Sequence, residues 1–192
     1  MSRGATVRLF AALAPPPEVR EQLAAWAREA RGAWSGRGRS PGAPRLLRPH
    51  AIHLTLCFLG ERPADEVPPL SLAVDSLQES ALELSVGAPL LLPRRRPRVL
   101  AVQVLDSGGE LSALQGRVSS ALEGASGWQP ERRRFTPHIT VARMRAGEWA
   151  PAVLPPTPGI SFAPEAIVLY RSLLEPDGAR HEALASCDLA AG

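Results

Sequence analysis

The chain has no lysine and no asparagine, two cysteines, one tyrosine, and only 5% aromatic residues. Cys57 and Cys187 form no Cys-x-x-Cys pair, so neither a disulfide scaffold nor a zinc module is signalled. Cys57 sits in an apolar run and reads as a small buried residue. No Gly-x-Ser-x-Gly occurs, which removes the nucleophile elbow of serine hydrolases. The longest apolar runs, such as PLLLP, are too short to span a bilayer. MSRGATVRLFAALAPPP carries no credible signal segment, so a cytosolic protein without a membrane partner is expected.

With lysine missing, all 22 basic residues are arginine. GC-rich coding is a bland cause of that bias. Its physical consequence stands regardless: every available cation is a planar fork suited to phosphate. The formal net charge of +3 is mild and does not by itself imply nucleic acid. Hydrophobic residues make up 45% of 192, enough for a packed interior in one large domain or two small lobes.

Periodicity predicts a strand over 6–13 and then a helix to Trp34, with Val19, Leu23 and Trp26 on one stripe. A Gly/Pro/Arg loop is expected over 35–49, a strand over 51–60 and a helix over 64–80. Strands over 81–93 and 99–106 flank the basic turn RRRPR, and a helix follows over 109–126. A second basic connector, RRRFTP, leads into the strand HITVARM. The tail reads as two strands around a Pro-Asp-Gly turn. The two halves look loosely duplicated about residues 93–98. Short connections favour an antiparallel arrangement, with lobes of roughly 1–95 and 96–192 that exchange strands.

Two stretches stand out. IHLTLCFLG places His53 and Thr55 two apart in an apolar strand, and PHITVAR repeats the spacing with His138 and Thr140. Residues two apart on a strand share a face, so each motif presents one imidazole and one hydroxyl together. A single histidine in an apolar strand is ordinarily a satisfied core residue. Two copies in matched settings, one in each half, point instead to a paired site. One neutral imidazole can take a proton and one imidazolium can give one, which suits phosphodiester cleavage near neutral pH. Threonine hydroxyls and arginines can hold the non-bridging oxygens where charge accumulates. Zinc is less well supported, because two histidines are too few ligands and neither strand carries a carboxylate.

With these motifs the chain resembles the two-histidine phosphoesterase superfamily, specifically the RNA 2',3'-cyclic phosphodiesterases, historically called 2'-5' RNA ligases. The resemblance runs through VRLFAALAPPPEVREQLAAW, IHLTLCFLGE, PRVLAVQV, FTPHITVARMR and LYRSLLEPDGARHEAL. It implies an α+β, bilobal fold in which two antiparallel sheets form a central groove with helices outside. It implies metal-independent opening of an RNA-terminal 2',3'-cyclic phosphate to a 2'-phosphate, with 2'-5' ligation as the reverse reaction and no cofactor. Carried onto this chain, His53 protonates the leaving 3'-oxygen, His138 activates water, and Thr55 and Thr140 bind phosphate oxygens. Arg143 and Phe58, each five residues after a motif histidine, would hold the terminal nucleotide by charge and stacking. Five is odd, so strict strand alternation puts both on the wrong face unless a bulge intervenes.

Other residues are expected to be peripheral: His181, where the family often has tyrosine, as an exposed turn residue, and His50 in a loop. Arg94–Arg96 with Arg98, Arg132–Arg134, and Arg37, Arg39, Arg45 and Arg48 could steer RNA phosphates. The expected partner is an RNA 3' end or a cyclic nucleotide, met by a monomer. Two alternatives stay open: a phosphodiesterase acting on small cyclic nucleotides or 2'-5' oligonucleotides, and a non-catalytic RNA-binding module.

Overall fold

The computed structural model describes residues 5–34, 43–145, 153–175 and 178–190. TVRLFAALA forms β1 (Thr6–Ala14), and α1 (Pro17–Gly32) follows two prolines. Pro17 sits in the first turn of α1, where a missing N–H leaves no helical bond unmade. The expected stripe of Val19, Leu23 and Trp26 is buried. β2 (Arg45–Leu46) and a 3-10 turn (Pro49–Ala51) precede β3 (Leu54–Pro63). Then come α2 (Val67–Asp75), β4 (Leu84–Leu92), β5 (Val99–Leu105), α3 (Glu110–Ala125) and β6 (His138–Arg143). β7 (Ser161–Phe162), β8 (Ala166–Glu175) and β9 (Gly178–Asp188) complete the chain.

The differences from expectation have local causes. β2 and β7 are two residues long and lie in proline-rich stretches with no readable period. The helix expected over 64–80 is a 3-10 turn (Ala64–Glu66) followed by the shorter α2. Pro68 and Pro69 are tolerated only in a first turn, so the α-helix has to begin beside them. His53 stands immediately before β3 rather than inside a strand beginning at 51. α3 is capped by Asp106, whose carboxylate accepts the Leu111 N–H at 2.7 Å and the Gly108 N–H at 3.1 Å. Gly109, with φ +76°, supplies the left-handed entry into that helix.

The strands pair antiparallel in the order β7-β4-β5-β6-β3-β1-β8-β9, with β2 added beside β6. The two expected sheets are the halves β7-β4-β5-β6 and β3-β1-β8-β9, and hydrogen bonding joins them through the single pair Leu54 and Ile139. Each half of the sheet draws strands from both halves of the chain. Sheet residues Leu9, Leu13, Leu54, Leu100, Val102, Ile139 and Leu169 share one core cluster with helical Leu23, Leu70, Leu111, Leu114 and Leu122. Phe10, Ala12, Ala101 and Val168 are buried too, but stand outside that cluster because they point to the opposite face. That opposite face carries the site.

Leu54 is fully buried at the one pair that joins the halves. Leu54→Ala is expected to lower unfolding stability by about 2–5 kcal/mol, the usual cost of a large-to-small core change. Urea melts followed by circular dichroism measure it, and a loss below 1 kcal/mol would show the junction to be unimportant.

Candidate active site

Each motif delivers its imidazole in the same way. His53 follows the 3-10 turn, and its Nδ1 faces the Ala51 carbonyl at 2.9 Å. His138 opens β6, and its Nδ1 faces the Thr136 carbonyl at 2.7 Å. Both partners lie two residues upstream. A carbonyl can only accept, so each Nδ1 carries the proton and donates it; the tautomer is assigned from this contact. Nε2 is thereby left as the nitrogen that exchanges protons.

Pairing across the junction brings the motifs together. β3 and β6 run antiparallel through Leu54 and Ile139, which sets His53 beside Thr140 and Thr55 beside His138. The two histidines are then diagonal neighbours, whose backbones lie roughly 7–8 Å apart in an antiparallel pair, room for a phosphate between the rings. Their proximity is also electrical, since the His138 charge acts on His53. Among the described residues, neither the Thr55 nor the Thr140 hydroxyl has a hydrogen-bond partner, so both are available to a ligand.

The parity problem is resolved by one device used twice. On β3, Thr55 pairs with Ala12 but Cys57 with Ala11, so Leu56 is an extra residue in a bulge. On β6, Thr140 pairs with Ala101 but Ala142 with Leu100, so Val141 is extra. Leu56 and Cys57 both enter the core, as do Val141 and Ala142. The next residue in each strand therefore returns to the histidine face. Phe58, paired with Phe10, is 41% exposed there. Arg143 is exposed on the same face.

Around His53 the face is aromatic. The Phe10 ring stacks on His53 with centroids 4.7 Å apart and on Tyr170 at 5.2 Å. His181 meets Phe10 edge-on at 4.9 Å and His53 edge-on at 5.2 Å. Burial, followed by the positive neighbours His181, Arg143 and His138, pushes His53 from its usual 6.5 down to about 3, against the upward pull of the Ala51 carbonyl. Burial raises the Tyr170 hydroxyl, partly offset by Arg20. Arg143 is lowered first by burial and then by Arg45 and Arg8. Three guanidiniums thus crowd one end of the site, with Arg8 also lying 4.8 Å over the Phe58 ring.

All six residues expected from the motifs occupy one face. His181 does not fit its expected place. It lies inside β9, half-buried in the ring cluster, because β9 begins at Gly178, three residues before it. His50 is exposed in the 3-10 turn. Phe10, Tyr170 and Arg8 carry no sequence signal, whereas Arg45, expected only to steer RNA phosphates, pairs beside Arg143 at the site itself. Arg8 and Phe10 do alternate with core residues on β1, but nothing local marks which face is used. Arg94–Arg96 and Arg98 are exposed in the turn leading to Val99, which pairs with Arg143, so they extend the cationic end. Arg132–Arg134 are exposed near His138, and Arg133 contacts Glu131 at 3.2 Å. Arg37 and Arg39 lie outside the described residues. Those residues contain no group of three or more His, Cys, Asp or Glu side chains placed to hold a metal ion.

Two outcomes follow from this electrostatic picture. Burial pushes the Cys57 thiol up to about 11 and raises Cys187 as well. Ellman's reagent at pH 8 is therefore expected to find no fast thiol in the folded protein and two after denaturation. The second outcome concerns acid. Because the folded value for His53 lies below the unfolded 6.5, the unfolded chain binds more protons between those values. The stability contributed by a neutral His53 is present above pH 6.5 and is lost as pH falls toward 3. In urea melts, His53→Gln should lose less of its midpoint than the parent between pH 7 and pH 4; parallel losses would refute the assignment.

Comparison with known proteins identifies the family. A family model described as the 2'-5' RNA ligase superfamily matches residues 15–175. A Thermus thermophilus protein named RNA 2',3'-cyclic phosphodiesterase is 33% identical over 180 residues, covering 90% of this chain and 85% of its own. The Escherichia coli protein of the same name is 31% identical over 167 residues, covering 86% of each. The crystal structure of E. coli LigT complexed with 3'-AMP superposes with a TM-score of 0.77 at 28% identity, covering 96% of this chain and 99% of that one. A T. thermophilus crystal structure gives 0.75 at 30% identity, covering 95% and 97%. With two bulged strands carrying matched imidazoles and a family match over most of its length, this chain belongs to the 2'-5' RNA ligase superfamily.

Proposed function

We propose that this chain is an RNA 2',3'-cyclic phosphodiesterase that opens a terminal 2',3'-cyclic phosphate to a 2'-phosphate. The observation that carries the reading is the matched pair His53 and His138. Each is fixed through Nδ1 to a carbonyl two residues upstream, and both stand on one face beside two unpartnered hydroxyls. Relatives matching most of the chain and named for this activity support it.

In this scheme His138 takes a proton from water as it attacks phosphorus, and His53 gives its proton to the departing 3'-oxygen. Burial and cationic neighbours keep His53 neutral in the free protein. It therefore takes up a proton from solvent once substrate binds, because the anionic phosphate offsets the surrounding positive charge. Thr55, Thr140 and Arg143 hold the non-bridging oxygens, where charge grows in the transition state. Phe58, exposed and turned to this face, offers its ring to the terminal base. The reverse reaction, in which a 5'-hydroxyl replaces water, gives 2'-5' ligation by the same groups with their roles exchanged. We assign the protein to the cytosol and read it as a monomer.

His53→Ala and His138→Ala are each expected to lower kcat on an RNA ending in 2',3'-cyclic phosphate by about 10²–10⁴-fold, with EDTA leaving the parent rate unchanged. Full activity in either variant would overturn the pair. Running a cyclic mononucleotide and a 2'-5' dinucleotide beside the RNA end decides between an RNA-end enzyme and one for smaller substrates. Salt-sensitive RNA binding that survives loss of both histidines, with no product formed, would instead favour a binding module.

A further inference from the structure

Among the described residues, no carboxylate hydrogen-bonds the His53 ring or acts on its charge. Among the described residues its hydrogen bond is to the Ala51 carbonyl, and three rings gather about it: Phe10 at 4.7 Å, His181 at 5.2 Å and Tyr170 at 6.2 Å. The register explains how these four meet. Phe10 pairs with Tyr170, and His181 pairs with Ser172, two residues along β8 on the same face as Tyr170. β9 lies three strands from β3, about 14 Å at the usual spacing, so rings 5.2 Å apart must lean together above Phe10.

Within that cluster His181 is out of place by ordinary packing rules. Its Nδ1 is buried and has no hydrogen-bond partner, a condition that normally costs stability and calls for a reason. A phenylalanine would fill the same space without that penalty. What the imidazole adds is a second site for a proton, edge-on to the ring that has to exchange one.

We propose that His181 is a positioning residue for His53, closing the ring cluster around it and competing with it for a proton, so that the two imidazoles titrate as a unit. The proposal rests on the acid/base role given to His53 above. Two imidazoles whose centroids are 5.2 Å apart disfavour a double positive charge. The charged groups facing the pair add to this. Arg143 on β6 bears on both rings, His50 on the 3-10 turn bears on His181, and His138 bears on His53; all lower the histidine they face. Tyr170 on β8 is itself raised and stays neutral. Among the described residues the charges that act on the pair are positive, so at most one of the two imidazoles takes up a proton, and an anionic phosphate bound at Arg143 is what makes room for it on His53. His181 thus touches no reacting atom in this scheme. It restrains the angle of the His53 ring and determines the acidity at which that ring becomes charged.

Two substitutions separate packing from proton competition. His181→Phe keeps a ring and removes the nitrogens; His181→Ala removes both. Histidine resonances of the full-length protein, titrated by NMR, read His53 without relying on turnover. In His181→Phe the His53 midpoint should move to higher pH, because one positive neighbour is gone. The limb of the kcat/KM profile that belongs to His53 should move the same way, with little change in the plateau. In His181→Ala the plateau itself should fall, on the order of ten- to a hundredfold, since a loosened catalytic ring loses its alignment. A His53 titration in His181→Phe that superimposes on the parent overturns the proposal. A parent with no activity on cyclic phosphate ends would sink the functional reading and leave the NMR outcome to judge this one.

Discussion

The way β3 passes β6 governs everything on the open face. The strands pair at one position, Leu54 with Ile139, and each then carries a bulge that pushes two consecutive residues into the core. One pair is enough to place two imidazoles and two hydroxyls diagonally across a short gap. Two bulges are enough to bring Phe58 and Arg143 back to the same side. Longer regular pairing between these strands would bury the polar groups against a flat sheet, and strict alternation would point the aromatic ring and the guanidinium into the apolar core.

The electrostatics of the site grow from that arrangement. Burial and the positive neighbours among the described residues outweigh the Ala51 carbonyl at His53, so its imidazole is held neutral. The groups that disfavour its proton, Arg143 foremost among the permanent cations, are also those that would greet a phosphate. In the proposed reaction, phosphate binding and the charging of His53 are therefore coupled through the same few ångströms. The ring cluster of Phe10, Tyr170 and His181 supplies the low-polarity wall against which this coupling is strong.

Much of the fold could be read from residue patterns. α1 and α3 show clean helical stripes, and the Pro-Asp-Gly turn marks the C-terminal hairpin. α2 is shorter than its apolar spacing suggests, because the spacing continues past its end while backbone geometry starts it at the proline pair. β2 and β7 had no signal, being two residues each and existing only because longer neighbours offer them an edge. The bulges left a faint trace: the alternation of IHLT and HIT breaks at Leu56-Cys57 and at Val141-Ala142, adjacent apolar pairs at the same offset from each histidine. His181 was misplaced because a turn motif three residues upstream dominated its local context, whereas its surroundings come from β1, β3 and β8.

By itself, the sequence determined which side chains stand out as candidates for the chemistry, since the repeated His-x-Thr in two apolar stretches needs no neighbour to be recognised. It also determined that every permanent cation near phosphate would be a guanidinium. Tertiary structure alone decided that the two motifs touch, that Phe58 and Arg143 face them, and that a third imidazole leans on His53. The reason is physical. Spacing along a strand dictates which residues share a face only while the alternation is unbroken. Cross-strand register, bulges and the convergence of rings from three strands and the entry to a fourth depend on pairings between residues far apart in the chain.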